Sequence, residues 1–264
     1  MRRARLAGIP FFLFLLFCHS TLFGACKEES FVSRLVRPAY AAAPDATLHY
    51  FGHSFFQLVT SRGTRIVMDP LAPGWYPVPD VSAHAVTIGR EHQNHNWFPI
   101  VKGRPLLLRG LRETDLGYEW NPVRTTVKDV LIYSVPIYVS RPNGNLFKGA
   151  AFAFDLGRLC VAHLGDLSHK LTPRHLKQFG KVDVALVPIG GRTTMGPWTA
   201  REVIGQLKPK IAIPMHYRDD LERVRVFTEG FPTRTVPDGS LPISKAALPR
   251  KTEIVVLGYA GGPF

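Results

Sequence analysis

The sequence predicts an α/β protein in which two sheets carry helices on their outer faces, and three observations point there. The first half of the chain is a series of short apolar runs broken by glycine, proline and polar turns. The second half alternates such runs with helical segments. The 264 residues, less a leader, can bury one large core, and no internal repeat divides them.

Residues 27–46 hold Pro38, the Ala41 to Ala43 run and Pro44 without a sustained period, so they read as a tether and the domain is set at 47–264. Strand-like runs follow at 48–51, 54–59 and 65–68, with Gly52 and Arg62-Gly63-Thr64 as turns. The stretch 71–80 carries Pro73, Gly74, Pro77 and Pro79 and is loop. A short buried strand at 85–88 feeds a histidine-rich loop. Further strands are expected at 106–108, 123–127, 130–135, 150–155 and 159–162. Thr172 and Pro173 form an N-cap and first-turn pair for a helix closed by Gly180. After a strand at 182–188, Thr199 is expected to cap a helix at 200–207 whose Val203, Ile204 and Leu207 share a face. Strands at 211–214 and 253–257 end the pattern.

Aromatic content of 11% and hydrophobic content of 45%, with no low-complexity tract, describe a folded globule. Arg2, Arg3 and Arg5 precede an apolar segment, the order of a secretory signal, and that segment is too short for a comfortable membrane span. Leu22-Phe23-Gly24-Ala25-Cys26 has the form of a bacterial lipobox, giving a leader at 1–26 and a lipid anchor on Cys26. A secreted soluble form, cleaved near Ala39-Tyr40-Ala41, and an uncleaved anchor are the alternatives. The expected location is the cell envelope, or the periplasm or exterior. Only Cys18, Cys26 and Cys160 occur, which excludes a disulfide framework. Cys160 reads as a small buried apolar residue.

The formal charge is +13, and loss of residues 1–25 removes three arginines and no acid, leaving +10. The basic residues are scattered, so the surface reads as solvated and attracted to anionic lipid or envelope polymers. No nucleic-acid-reading motif is present. Neither a Gly-x-Ser-x-Gly elbow nor a spaced pair of catalytic carboxylates occurs, so serine-hydrolase and glycosidase readings lack support.

The chemistry concentrates in Gly89-Arg90-Glu91-His92-Gln93-Asn94-His95-Asn96, which has the spacing of a metal-binding loop with basic and amide side chains where two ligands are expected. His163 and Asp166 follow one apolar run and His216 follows another. Imidazoles and a carboxylate gathered at strand ends suit zinc, or iron and manganese, and an open position would let the metal activate water. His53, beside Gly52, and Asp69, after the third strand, read first as structural groups. His84, His169 and His175 fall outside the pattern. Trp75, Tyr76, Trp97 and Trp198 lie in loops and pack over strand ends or line a pocket.

Gly52-His53-Ser54, Met68-Asp69-Pro70, the His92/His95 loop, His163-Leu164-Gly165-Asp166, the run 182–191 and the run 208–217 occur in an order that resembles the metallo-β-lactamase-fold hydrolases. The likeness is to the small branch of metal-dependent hydrolases related to ascorbate-phosphate lactonases, and it covers roughly 47–258. It implies an αββα sandwich of two mixed sheets flanked by helices, with the site where the sheets meet. The family loop reads His-x-His-x-Asp-His, so Arg90 stands for the first histidine and Asn94 for the aspartate. The resemblance leaves His92, His163 and Asp166 for one ion, and His95, His216 and Asp166 for the other.

An arginine keeps its proton, and two like charges about 4 Å apart repel by roughly 4 kcal/mol at an effective dielectric near 20. An inward Arg90 is therefore expected to pair with Asp166 in place of the first ion, leaving at most one. Two readings follow. One is a hydrolase that uses metal-activated water, with Asp166 as ligand and orienter, on a small-molecule ester, lactone or phosphoester. The other is a fold that has lost its metal chemistry and serves as an envelope binding or scaffold protein.

Overall fold

The computed structural model describes residues 43–141 and 143–259. The leader at 1–26 and all but the last four residues of the 27–46 tether lie outside the described residues, and with them the anchor reading of Cys26. In chain order the first strands are β1 (Ala46–Tyr50), β2 (Phe56–Thr60), β3 (Arg65–Met68), β4 (Ala85–Ile88), β5 (Leu106–Arg109), β6 (Leu111–Thr114), β7 (Gly117–Trp120) and β8 (Arg124–Val127). The rest are β9 (Val130–Ser140), β10 (Leu146–Asp155), β11 (Cys160–His163), β12 (Val184–Pro188), β13 (Ile211–Met215), β14 (Thr233–Val236), β15 (Ser240–Ile243) and β16 (Glu253–Leu257). The helices are α1 (Pro173–Phe179), α2 (Pro197–Leu207) and α3 (Leu221–Thr228).

Two mixed sheets pack face to face, as the αββα sandwich requires. One runs β15-β1-β2-β3-β4-β5 and the other β14-β16-β13-β12-β11-β10-β9-β8. Between them lie Leu48, Leu58 and Ile66 from the first sheet and Phe152, Val161, Leu186 and Ile213 from the second. The outer face of the larger sheet is covered by the helices through Phe179, Val203, Ile204 and Phe227. The outer face of the smaller sheet is covered by Phe55, Leu71, Val81 and Val101, from loops and a short 3-10 turn at Phe98–Ile100. Parallel β12 and β13 are buried along their whole length, which is why they read as unbroken apolar runs.

Several boundaries differ from expectation for physical reasons. The strand expected at 130–135 continues to Ser140 through Pro136. Its partner β8 stops pairing at Tyr133, so Pro136 lies on an edge where no ladder donor is required. The helix expected at 200–207 begins at Pro197, with Gly196 as N-cap. The preset φ of proline in the first turn outweighs the capping preference of Thr199. The hairpin β6–β7, helix α3 and strands β14 and β15 were not anticipated. β15 pairs with β1 across some 190 residues of chain, a contact that no local pattern announces. Cys160 is buried in the core beneath the helices, as its reading as a small buried apolar residue expects; Cys18 and Cys26 lie outside the described residues. No helix among the described residues is long and apolar enough to cross a membrane.

Candidate metal centre

Strand ends deliver the polar groups to one spot, and glycines let them approach. Gly89, just past β4, accepts a hydrogen bond through its carbonyl from the Ala150 amide of β10 at 2.8 Å. A Cβ on Gly89 would come within 2.5 Å of the Ala150 carbonyl oxygen, and one on Gly165 within 2.9 Å. The loop after β4 and the turn after β11 thus press against the same peptide, which sets Arg90 beside Asp166. On the other side, a Cβ on Gly190 would collide with the His216 carbonyl. His53, Asp69 and His216 all hold positive φ, of 55°, 43° and 62°, so three of the site's side chains leave backbones in the left-handed region.

His53, His95 and His216 each offer a ring nitrogen, and these atoms lie within 4.8 Å of one another. The rings of His53 and His216 are 3.9 Å apart between centroids. Asp166 sits among them: its Oδ2 is 3.3 Å from His95 Nε2 and 2.5 Å from Arg90 Nη1, and its Oδ1 is 3.3 Å from His216 Nε2. The opposite edge of His95 is fixed by Asp69, whose Oδ2 lies 3.0 Å from His95 Nδ1. Asp69 Oδ1 accepts from the Gly89 amide at 2.7 Å, and Ser54 Oγ is 3.1 Å from His95 Nδ1.

Charge follows from this geometry. Burial works against a charged His95, but Asp166 and Asp69 outweigh it and push its pKa up to about 9. Burial likewise opposes ionisation of Asp166, yet the facing His95 and His216 hold its carboxyl well below the usual range. His53 is driven the other way, kept neutral by burial and then by the neighbouring His216. Both of its ring nitrogens are buried without a hydrogen-bond partner, as is Asp166 Oδ1. Orphaned buried polar atoms are costly, and their clustering marks donors and acceptors suited to hold a ligand.

The remaining candidates stand outside the three-histidine group, although His92 and Asn94 line the cavity beside it. His163 turns its Nε2 to the Ser54 carbonyl at 2.9 Å and does not join the three-histidine group. His92 is exposed on the loop, its Nδ1 accepting from the Asn94 amide at 3.2 Å. Asn94 lines the cavity above. Trp75, Trp97 and Trp198 are exposed, and Tyr76 packs edge-on against Tyr259. Sequence reasoning read His53 first as a structural group. The signal that it belongs inside is Gly52, whose φ of 99° allows the turn that brings the next ring over His216.

These donors fit one divalent ion. One ring nitrogen from each of His53, His95 and His216 lies within 4.8 Å of the others, and Asp166 Oδ1, 3.3 Å from His216 Nε2, is beside them. Three imidazoles with an adjacent carboxylate and an open position match the donor preference of catalytic zinc. The second position does not fit. The guanidinium of Arg90 occupies Asp166 Oδ2 there and His163 is committed to a backbone carbonyl, which leaves His92, lining the cavity with its ring centroid 6.4 Å from that of His95. Above the ion position opens a cavity of about 510 Å³.

Comparison with known proteins agrees with this architecture. Residues 47–216 match the family model of the β-lactamase superfamily domain. A solved structure described as a Zn-dependent hydrolase of the metallo-β-lactamase superfamily, from Thermotoga maritima, is 31% identical and covers 81% of this chain and 99% of its own, with a TM-score of 0.61. A UPF0173 metal-dependent hydrolase of Thermococcus onnurineus is 28% identical over 191 residues, 64% of this chain and 84% of that protein. A metal-dependent hydrolase structure from Parabacteroides distasonis, at 18% identity and a TM-score of 0.54, shares the fold. The chain belongs to the β-lactamase superfamily.

Proposed function

We propose that this protein is a metal-dependent hydrolase that works with a single divalent ion, zinc by preference, held by His53, His95 and His216 with Asp166 alongside. The observation that carries the reading is the convergence of three imidazole nitrogens within 4.8 Å, next to the buried Asp166 Oδ1, which makes no hydrogen bond and lies 3.3 Å from His216 Nε2. The relatives' names support a hydrolytic role. When bound, such an ion polarises an ester, lactone or phosphoester and lowers the pKa of water at its open position.

The chain's own residues do the rest. Asp69 fixes the His95 ring through Nδ1, so that Nε2 is aimed at the centre. Asp166, ionised and held by Arg90, offers Oδ1 as the acceptor that orients an attacking water and takes its proton. Arg90 supplies a fixed positive charge where a second ion would sit, and its position at the cavity wall lets it face charge developing on the substrate.

One observation favours a second reading. With His95 protonated and Arg90 paired, the cluster balances its charges without metal, as a binding protein would need. Metal content after purification without chelator, together with hydrolysis of p-nitrophenyl acetate and bis-p-nitrophenyl phosphate, separates the two. The hydrolase reading expects one bound ion and turnover that vanishes in His53→Ala and His216→Ala; metal-free protein that takes up no added ion would end it.

Export to the cell envelope is part of the proposal. It is supported by the leader pattern, in which Arg2, Arg3 and Arg5 precede an apolar run that ends at Cys26. An intact mass of the envelope-extracted protein reports cleavage of the leader and lipidation of Cys26, and the mass of the unprocessed or unlipidated chain would contradict it.

A further inference from the structure

The cavity above the centre is walled by five arginines, Arg90, Arg141, Arg192, Arg218 and Arg223, and Asp220 is the one carboxylate among its lining residues. Two of the five have partners. Arg90 pairs with Asp166, and Arg223 pairs with Asp220 through Nε at 2.6 Å while also donating to the Gly190 carbonyl. The other three come from three separate places: Arg141 from the end of β9, Arg192 from the loop after β12, and Arg218 from the loop after β13. All three are exposed, and no ion pair among the described residues engages them.

Their setting is that of donors held ready. The Arg141 guanidinium lies 3.9 Å from the Phe147 ring centre, and that of Arg218 lies 3.9 Å from Trp75. Stacking on an aromatic face fixes the plane of a guanidinium while leaving its N–H fork free. Arg192 and Arg218 also hold positive φ, of 59° and 53°, a conformation disfavoured for side chains of their size. Three uncompensated cations around one opening exceed what a lone carboxylate neutralises.

We propose that this cavity takes a substrate bearing a multiply charged oxyanionic group, of two or more negative charges, held by Arg141, Arg192 and Arg218 next to the ion position. The word substrate rests on the hydrolase reading; the anion site itself does not. Planar guanidinium forks match phosphoryl and carboxylate oxygens alike, so the class includes phosphate esters and polycarboxylates. A cavity of about 510 Å³ has room for such a group and a small organic body.

The test is calorimetric titration of the full chain, freed of metal by chelator and dialysis, with pyrophosphate, citrate and acetate at low and moderate salt. Working without metal keeps these probes from acting as chelators and separates this result from that of the metal titration. The expected outcome is one-to-one binding of pyrophosphate or citrate that weakens with salt, with acetate much weaker; whichever of the two binds more tightly names the source of the charge. Each of Arg192→Gln and Arg218→Gln should cost roughly tenfold in affinity, the scale of a lost charge-assisted contact, and the lysine replacements less. Circular dichroism and melting temperature establish that each variant is folded, and the lysine series carries the comparison where a glutamine variant is not. Absence of saturable binding, acetate binding as tightly as the polyanions, or unchanged affinity in the folded variants would overturn the proposal.

Discussion

Arg90 Nη1 lies 2.5 Å from Asp166 Oδ2, and the carboxylate it meets is almost fully buried. The pair joins the loop after β4 to the turn after β11. It places a permanent positive charge where the family pattern expects an ion, beside the group formed by His53, His95 and His216.

Removing that charge should be felt in stability before chemistry. Arg90→Met leaves Asp166 facing the histidines alone, and breaking a buried pair by deleting one partner typically costs about 3–5 kcal/mol, less here because Arg90 is itself partly exposed. Urea denaturation of metal-free protein should show the loss. Zinc should recover more stability in Arg90→Met than in the wild type, since the cationic competitor is gone.

Restoring the family pattern should restore the second ion. In Arg90→His with Asn94→Asp, a cation becomes an imidazole and an amide becomes an anionic oxygen donor. Elemental analysis should rise from one ion per chain toward two. No increase would show that His163, held by the Ser54 carbonyl, cannot be recruited.

Metal-free stability should have a distinct pH profile. His95 is raised to about 9 from its ordinary value of 6.5, so its contribution is full below about pH 6.5 and is lost as pH climbs through about 9. Asp166 is lowered, so its contribution is full above its ordinary value near 3.8 and is lost as pH falls below it. Denaturation midpoints should therefore be highest between about pH 4 and 6.5. Zinc affinity should run the opposite way, rising with pH toward about 9, because the ion must displace the proton on His95 Nε2.

Asp69 acts through His95 and not on the ion. Asp69→Asn weakens the hold on Nδ1 and should lower zinc affinity by about 10- to 100-fold, with a smaller effect on the affinity of the anion cavity. Equal losses in both would mean that the variant disturbs the loop as a whole.

Gly190 tests the packing that positions His216. A methyl group there meets the His216 backbone, so Gly190→Ala should destabilise by about 1–3 kcal/mol, or several degrees in Tm. Gly205, in the exposed part of α2 with open space around it, is the control position, where alanine should stabilise slightly.

Much of this was legible in the chain. Ala85–Ile88, Arg65–Met68 and Glu253–Leu257 fall where the apolar runs place them, because buried strands of a two-layer fold leave little room for polar residues. Arg90 pairs with Asp166 as the charge argument expects. The role of His53 was hidden, because an isolated histidine carries no periodicity and its inward turn depends on the φ of Gly52. The commitment of His163 to a carbonyl depends on backbone direction, which residue spacing does not encode. The arginine wall escaped for the same reason, since positions 141, 192 and 218 are distant in sequence and become neighbours only through three strand ends.

The most direct test of the centre is anomalous diffraction at the zinc edge from crystals grown with zinc. One peak enclosed by His53, His95 and His216, with Arg90 still on Asp166, is the predicted result. Two peaks, a peak between His92 and His163, or no peak with the three rings closed on one another would contradict it.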